Sequence, residues 1–178
     1  MIRLFIGLTF ESALTRKMEA LGGGLPGARW VPARNLHLTL RFIGEVDQNH
    51  AEEIHDELCR VEAPLFALTL TGLGLFGDRR RAHTLWLGVE RSEALILLAS
   101  RVEAAVVRAG QNPEPRRFTP HISLARLKNA DPTRLQAFMD AAPIFHAEAV
   151  PVIDFALFRS TLNPAGPEYD VLERYPLG

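Results

Sequence analysis

Apolar and polar residues follow two periods along this chain, one typical of strands and one typical of helices. Short β-prone segments predict strands over residues 2–8, 29–31, 36–43, 65–70, 84–89, 118–125, 147–157 and 169–172. Apolar residues at helical spacing predict helices over residues 12–21, 49–61, 92–109 and 131–141. Asp47 and Ser92 stand where they can cap two of these helices. A glycine-rich stretch after the fourth strand, residues 72–77, leads into a predicted loop.

The order of these elements indicates the fold class. Strands and helices alternate irregularly, which favours a mixed α and β domain. Several neighbouring strands have short connections, and short connections imply antiparallel pairing. No low-complexity linker divides the 178 residues, so we expect residues 1–178 to form a single domain.

Composition narrows the class of partner. Twenty basic residues against twenty-one acidic ones give a net charge of -1, without the basic excess of a protein that binds long nucleic acids. A nucleic-acid contact would therefore be short, such as a strand end. No apolar run approaches the roughly 18 residues of a membrane span. Cys59 alone cannot form a disulfide within the chain, so we expect a cytoplasmic protein, with Cys59 buried in its helical segment.

One tetrapeptide pattern occurs twice. The sequences His37-Leu38-Thr39-Leu40 and His121-Ile122-Ser123-Leu124 both lie in predicted strands. Of the six histidines, these two have Ser or Thr two residues later. The repetition suggests two duplicated lobes. Taken alone, the pattern also fits two core or edge strands that each happen to contain a histidine.

The repeated residue types suit phosphate chemistry. Side chains alternate along a strand, so His37 shares a face with Thr39, and His121 shares one with Ser123. Two such strands side by side would form a four-residue cage. Its hydroxyls can donate to phosphate oxygens, and its imidazoles titrate near neutral pH. One imidazole can then accept a proton while the other donates one, without a metal ion.

Residues after the first motif are further candidates. By the same alternation, Arg41 shares the face of Thr39 and could line a cleft, although a solvated arginine is equally expected. Phe42 should point away from that face, which favours core packing over stacking on a base. The basic residues at 79–81 and 116–117 could grip an RNA backbone, but such charge runs are usually solvated.

Other catalytic classes lack their motifs. His50 and His55 lie five residues apart, so they do not make the His-Glu-x-x-His zinc pattern, and no Cys-x-x-Cys occurs. The sequence contains neither a glycine-rich ATP phosphate loop nor a Gly-x-Ser-x-Gly elbow around a serine nucleophile. We therefore expect no metal, no cofactor and no ATP requirement.

The segments around the motifs resemble a known family. They are residues 29–32 (RWVP), 35–44 (NLHLTLRFIG), 85–89 (LWLGV), 118–126 (FTPHISLAR), 160–162 (STL) and 166–169 (GPEY). Together they resemble the bacterial and archaeal RNA 2′,3′-cyclic phosphodiesterases, formerly called 2′-5′ RNA ligases, of the two-histidine phosphoesterase superfamily. The resemblance spans nearly the whole chain.

This resemblance implies a bilobal α+β (α/β) fold with pseudo-twofold symmetry, in which two antiparallel sheets face a central cleft and the helices lie outside. It implies metal-independent hydrolysis of RNA-terminal 2′,3′-cyclic phosphate to a 2′-phosphate, with 2′-5′ RNA ligation as a side activity. The expected partners are RNA ends or nucleotides that carry the cyclic phosphate. We expect a monomer that contacts no membrane.

The resemblance also assigns roles to residues. His37 and His121 become the acid–base pair, Thr39 and Ser123 the phosphate donors, and Arg126 a further phosphate contact. Ser123 departs from the threonine that is common in the family but keeps the hydroxyl. We assign His37 as the acid for the 3′ oxygen and His121 as the base for water, and the near symmetry of the motifs leaves the reverse open.

Two alternative functions remain at this level. A different substrate, such as a 2′-5′ linkage or a small cyclic nucleotide ester, would use the same residues. A binder of RNA ends without turnover would keep the cleft but lose the chemistry.

Overall fold

A computed structural model describes residues 1–78 and 80–178. The described residues form four α-helices, α1 Ser12–Glu19, α2 Gln48–Leu58, α3 Glu93–Arg108 and α4 Pro132–Ala141. They also form nine strands, β1 Ile2–Leu8, β2 Ala28–Trp30, β3 Leu38–Val46, β4 Phe66–Phe76, β5 Thr84–Val89, β6 His121–Leu127, β7 His146–Val152, β8 Asp154–Asn163 and β9 Gly166–Pro176. The expected α+β class is confirmed. Arg79, part of the basic run considered for RNA contact, lies outside the described residues.

Side-chain caps fix where three helices begin. The side chains of Asp47, Ser92 and Asp131 each accept a hydrogen bond from a backbone N–H three residues further on. Such a cap satisfies one of the free N–H groups of the first turn and contributes about 1 kcal/mol. The caps predicted at Asp47 and Ser92 are therefore confirmed. Cys59, expected to be buried, is exposed because it follows the last turn of α2.

The strands form one curled sheet with the order β7-β4-β5-β6-β3-β1-β8-β9, and β2 lies beside β6. Within the described residues, every recorded strand pair is antiparallel. Strands β3 and β6 meet at the pair Leu38 and Ile122. We call this contact the join. The two expected sheets are therefore two arms of one continuous sheet, and each arm carries one histidine motif.

The join is anchored in the hydrophobic core. Leu38 and Ile122 both have 0% exposure, and they belong to the main apolar cluster. Helix α3 contributes Leu98 and Val102 to the same cluster because its apolar residues recur at helical spacing. The side chains next to each histidine thus tie both motifs to the core, as the alternation of the strands predicts.

Two strands differ from the sequence-based expectation. Strand β4 runs on through the glycine-rich stretch, which was expected to leave the sheet. Gly72 has a φ of 74° at a register shift between β4 and β5, a conformation that glycine adopts without strain. The predicted strand at 147–157 is two strands, because β7 pairs with β4 in one arm and β8 pairs with β1 in the other.

Gly74 allows the close approach of a tryptophan. It pairs with Trp86 of β5, and a Cβ atom at residue 74 would overlap the indole ring. We expect Gly74→Ala to lower the free energy of unfolding by about 1–3 kcal/mol, measured by urea denaturation, because the added methyl overpacks the site. The same substitution should cost less in a Trp86→Leu background. An equal cost in both backgrounds would show that the indole is not the obstacle.

Candidate active site

The two histidine motifs meet at the join. Continuing its antiparallel register by one residue in each direction sets His37 opposite Ser123 and Thr39 opposite His121. The two histidines then stand diagonally, at a separation of about 7–8 Å between their backbones. His37 lies just before β3, and His121 is the first residue of β6. This register therefore allows the four residues to form the cage that the sequence predicts.

Backbone carbonyls orient both imidazoles. Nδ1–H of His37 donates to the carbonyl oxygen of Asn35 at 2.6 Å, and Nδ1–H of His121 donates to that of Thr119 at 2.7 Å. A carbonyl only accepts, so Nδ1 carries the proton and Nε2 is left for chemistry. Nε2 of His37 lies 2.9 Å from Oγ1 of Thr39. Sequence reasoning missed these carbonyls, although each belongs to the residue two positions before its histidine.

Aromatic rings surround His37. Its ring centroid lies 4.7 Å from that of Phe5 and 5.9 Å from that of Phe158. Tyr169 meets the imidazole edge-on at 5.3 Å. These three rings come from strands β1, β8 and β9 of the same arm, and the alternation of the single strands did not indicate that they converge.

Aromatic rings also stand beside His121. Phe76 meets its imidazole edge-on at a centroid distance of 4.7 Å, and Trp86 lies at 6.3 Å. Trp86 is half-buried and pairs with Ser123, so it belongs to the cleft face. Both histidines are thus held in largely apolar surroundings.

These surroundings lower the pKa of both imidazoles. Burial is the main cause at His37, the hydrogen bond to Asn35 partly opposes it, and the charge of His121 lowers the pKa further. Burial also lowers the pKa of His121, and its bond to Thr119 opposes this. The electrostatic coupling of the two rings indicates that they face the same space.

A bulge follows the first motif and reverses the alternation of β3. Thr39 stands opposite Gly7 of β1, whereas Arg41 stands opposite the next residue, Ile6, so Leu40 is the extra residue of the bulge. Partners across a sheet share a face, and Ile6 is buried in the core. Arg41 therefore faces the core side, and Phe42 faces the cleft. Both faces are the reverse of those that simple alternation predicts, although both residues line the cavity described below.

A matching bulge follows the second motif. Ser123 stands opposite Trp86, and Ala125 stands opposite Leu85, so Leu124 is the extra residue. The reversal turns Arg126 onto the face that carries Ser123. Phe42 and Arg126 therefore occupy equivalent positions in the two arms, five residues after their histidines.

The environments of Phe42 and Arg126 differ. Phe42 is 43% exposed, and the guanidinium carbon of Arg3 lies 5.1 Å from its ring centroid. Core packing, the favoured expectation for Phe42, is therefore not what the structure shows. Arg126 is exposed and lies near Tyr169, since burial raises the pKa of that tyrosine while the charges of Arg126 and Arg3 oppose the rise. One arm thus offers an aromatic ring, and the other offers a cation.

A cavity of about 720 Å³ opens beside Thr39 and His121. This volume lies in the range of small-ligand sites. Its wall includes the rings of Phe42, Phe76 and Phe118, the cations Arg91, Arg116 and Arg117, and the helix residues Ile96 and Ala99. Arg41 also contributes to the wall, but its guanidinium is engaged by the carboxylates of Glu103 and Glu114. The cavity can accommodate an aromatic, anionic ligand next to the imidazole of His121.

Within residues 1–78 and 80–178, no group of three or more His, Cys, Asp or Glu residues is placed to hold a metal ion. In the same residues, no helix is both long and apolar enough to cross a membrane.

Two oriented imidazoles, each with a hydroxyl across the join, form a site that suits acid–base chemistry on phosphate esters. The chain belongs to the family described as LigT like Phosphoesterase, whose model matches residues 9–86 and again residues 87–169. Each match contains one histidine motif. The family expected from the sequence is thereby confirmed.

Similar proteins agree with this assignment. The RNA 2′,3′-cyclic phosphodiesterase of Thermotoga maritima is 37% identical over 82% of this chain and 78% of its own length. That of Thermus thermophilus is 36% identical over 99% of this chain and 90% of its own. The structure of E. coli LigT complexed with 3′-AMP superposes with a TM-score of 0.78 at 28% identity, over 99% and 98% of the two chains.

The coupling of the two rings can be measured by NMR. We expect the imidazole Cε1–H signals of His37 and His121 to titrate below the usual histidine value of about 6.5. In His121→Ala, the pKa of His37 should rise because a neighbouring positive charge is gone, yet burial should keep it below that value. An unchanged pKa of His37 in this variant would mean that the rings do not share one site.

Proposed function

We propose that this protein hydrolyses RNA-terminal 2′,3′-cyclic phosphates to 2′-phosphates by metal-independent acid–base catalysis. The observation that carries the proposal is the antiparallel join, whose register sets each histidine opposite the hydroxyl of the other motif. The relatives named RNA 2′,3′-cyclic phosphodiesterase support the choice of substrate. We further propose that the protein acts as a cytoplasmic monomer without ATP or a cofactor.

The proposed reaction is an in-line displacement at phosphorus. The oxygen of water forms a bond to phosphorus as the bond to the 3′ oxygen breaks. His121 takes a proton from the water, and His37 gives a proton to the departing 3′ oxygen. The hydroxyls of Thr39 and Ser123, together with Arg126, hold the non-bridging oxygens. The anionic phosphate favours protonation of a neighbouring ring, which offsets the effect of burial on its pKa.

The cavity beside the imidazole of His121 supports a nucleotide substrate. The exposed ring of Phe42 lines this cavity and offers a face on which a base can stack, a contact worth about 1–3 kcal/mol. The cations Arg91 and Arg117 lie on the same wall and suit an RNA backbone. A site of this extent fits a strand end, in keeping with the net charge of -1.

The same displacement with another nucleophile gives a second activity. If a 5′-hydroxyl of RNA replaces water, the product is a 2′-5′ linkage, and we propose this ligation as a side activity. A panel of cyclic nucleotides, cyclic-phosphate RNA and RNA with a free 5′-hydroxyl would separate the two reactions.

The main test uses RNA that ends in a 2′,3′-cyclic phosphate. Wild-type protein should yield the 2′-phosphate, and His37→Ala or His121→Ala should each lose at least about 10²-fold in kcat, because each removes a positioned acid or base. His146→Ala is the control, since His146 is exposed and pairs with Glu148 outside the site. EDTA should leave the rate unchanged.

Other outcomes would point elsewhere. A 3′-phosphate product would mean that the other ester bond breaks. Tight binding without any product would favour a binder of RNA ends. Loss of the activity in EDTA, restored by a divalent cation, would replace the metal-independent mechanism.

A sulfur substitution can separate the acid from the base. In a cyclic substrate with sulfur in place of the 3′ oxygen, the leaving group is a thiolate. A thiolate needs no proton in order to leave, because the pKa of a thiol is only about 8.5. His37→Ala should therefore lose much less activity on this substrate than on the oxygen substrate. His121→Ala should lose the same factor on both, since water still needs a base. If the two variants exchange these patterns, the roles of the histidines are reversed.

A further inference from the structure

Residues 111–120 connect α3 to β6 without any helix or strand. This segment nevertheless provides the carbonyl of Thr119, which orients the imidazole of His121. It also provides Phe118 and Arg117 to the wall of the cavity. Since no regular backbone pairing fixes the segment, other contacts must hold it in place.

Arg41 makes two contacts with this segment and a third with α3. Its Nη1–H donates to Oε2 of Glu114 at 3.1 Å, and its Nη2–H donates to the carbonyl oxygen of Asn112 at 2.5 Å. Its Nε lies 2.7 Å from Oε2 of Glu103 on α3, as an ion pair whose angle does not suit a hydrogen bond. The backbone N–H of Glu114 donates to the other carboxylate oxygen of Glu103 at 2.8 Å, which closes the ring of contacts. We call these four residues the Arg41 cluster.

Because Arg41 is buried, the segment cannot move away from it without a large energetic cost. Arg41 is 8% exposed, and a guanidinium cannot shed its charge as a buried lysine can. A buried charge without partners costs several kcal/mol, so the segment must keep its two acceptors against the arginine. Hydrogen bonds from Arg116 and the charge of Arg41 lower the pKa of Glu114 to about 2, so its carboxylate stays charged near neutral pH.

We propose that Arg41 is a positioning residue for His121. From the strand of the first motif it fixes residues 112–114, and through them it fixes the Thr119 carbonyl five residues beyond Glu114. The inference rests on the proposed role of His121 in catalysis. It accounts for the bulge at Leu40, which turns Arg41 away from the cleft and towards α3 and this segment.

Arg41 links the first motif to His121 of the second, and the equivalent residue of the second motif makes no such link to the first. The residue that matches Arg41 in the second motif is Ala125, which has no charge to offer. The carbonyl that orients His37 is fixed in another way, because the side chain of Asn35 donates to the carbonyl oxygen of Pro167 at 2.8 Å. Loss of Arg41 should therefore disturb His121 and spare His37.

The test compares Arg41→Met with the matched control Arg108→Met. Arg108 lies on α3 and makes an ion pair with Glu57 of α2 at 2.6 Å, on a side of α3 away from the cavity. We expect Arg41→Met to lower kcat on cyclic-phosphate RNA by roughly 10- to 100-fold, because small misplacements of a catalytic group have such effects. Arg41→Lys should recover part of the loss, and Arg108→Met should leave kcat unchanged.

Two further measurements separate positioning from stability. Imidazole ¹⁵N spectra of Arg41→Met, recorded without substrate, should show loss of the Nδ1–H tautomer at His121 and its retention at His37. Without Arg41, Glu114 keeps its ion pair with Arg116, whereas Glu103 loses the cation beside it. The variant Arg41→Met/Glu103→Gln removes that uncompensated charge, so it should regain thermal stability but not kcat. If Arg41→Met is too unstable to purify, this double variant carries both measurements.

Three results would overturn the inference. They are a kcat of Arg41→Met within twofold of wild type, an unchanged His121 spectrum, and a double variant that regains kcat together with stability. Failure of the proposed function would look different. In that case His121→Ala would keep its activity, while the ¹⁵N spectra would still report whether Arg41 orients the ring.

Discussion

The pairing of Leu38 with Ile122 is the contact on which the rest of the site depends. Both side chains are fully buried, so the core fixes the register of β3 against β6. A slip of one residue in either strand would turn the motif of that strand towards the core and place its imidazole among apolar side chains. The burial of two aliphatic residues on the core side of the sheet thus sets the separation of two imidazoles on its cleft side.

Much of the fold and of the site could be predicted from the sequence, because both depend on local periodicity. The repeated motif and the alternation of its residues predicted the cage and the buried positions of Leu38 and Ile122. The bulges could not be predicted, since a bulge exists only relative to a partner strand. The error at Arg41 and Phe42 follows directly, because the extra residue Leu40 in β3 reverses the faces of these two positions. The rings around His37 come from three strands, and local patterns do not show such convergence.

The two arms are alike in backbone and different in side chains. Each has a histidine, a hydroxyl and a bulge in the same order, which fits the two successive matches to the family model. After the bulge the arms diverge, with Phe42 in one and Arg126 in the other. A symmetric cage would accept a phosphate in either direction. The difference between Phe42 and Arg126 makes the two directions unequal, because an aromatic surface lies on one side of the phosphate and a positive charge lies on the other.

Between β7 and β8 the chain passes from one arm to the other, and this connection affects the order in which the arms can form. Apart from β2, which pairs with β6, the arm that holds His121 is built from β4 to β7, a continuous stretch of chain. The other arm combines β1 and β3 with β8 and β9, so Phe158 and Tyr169 reach His37 after nearly all of the chain has been made. During synthesis from the amino terminus, the first motif is translated early but acquires its surroundings late. A nascent chain therefore carries His37 before the strands that bury its imidazole and lower its pKa are in place.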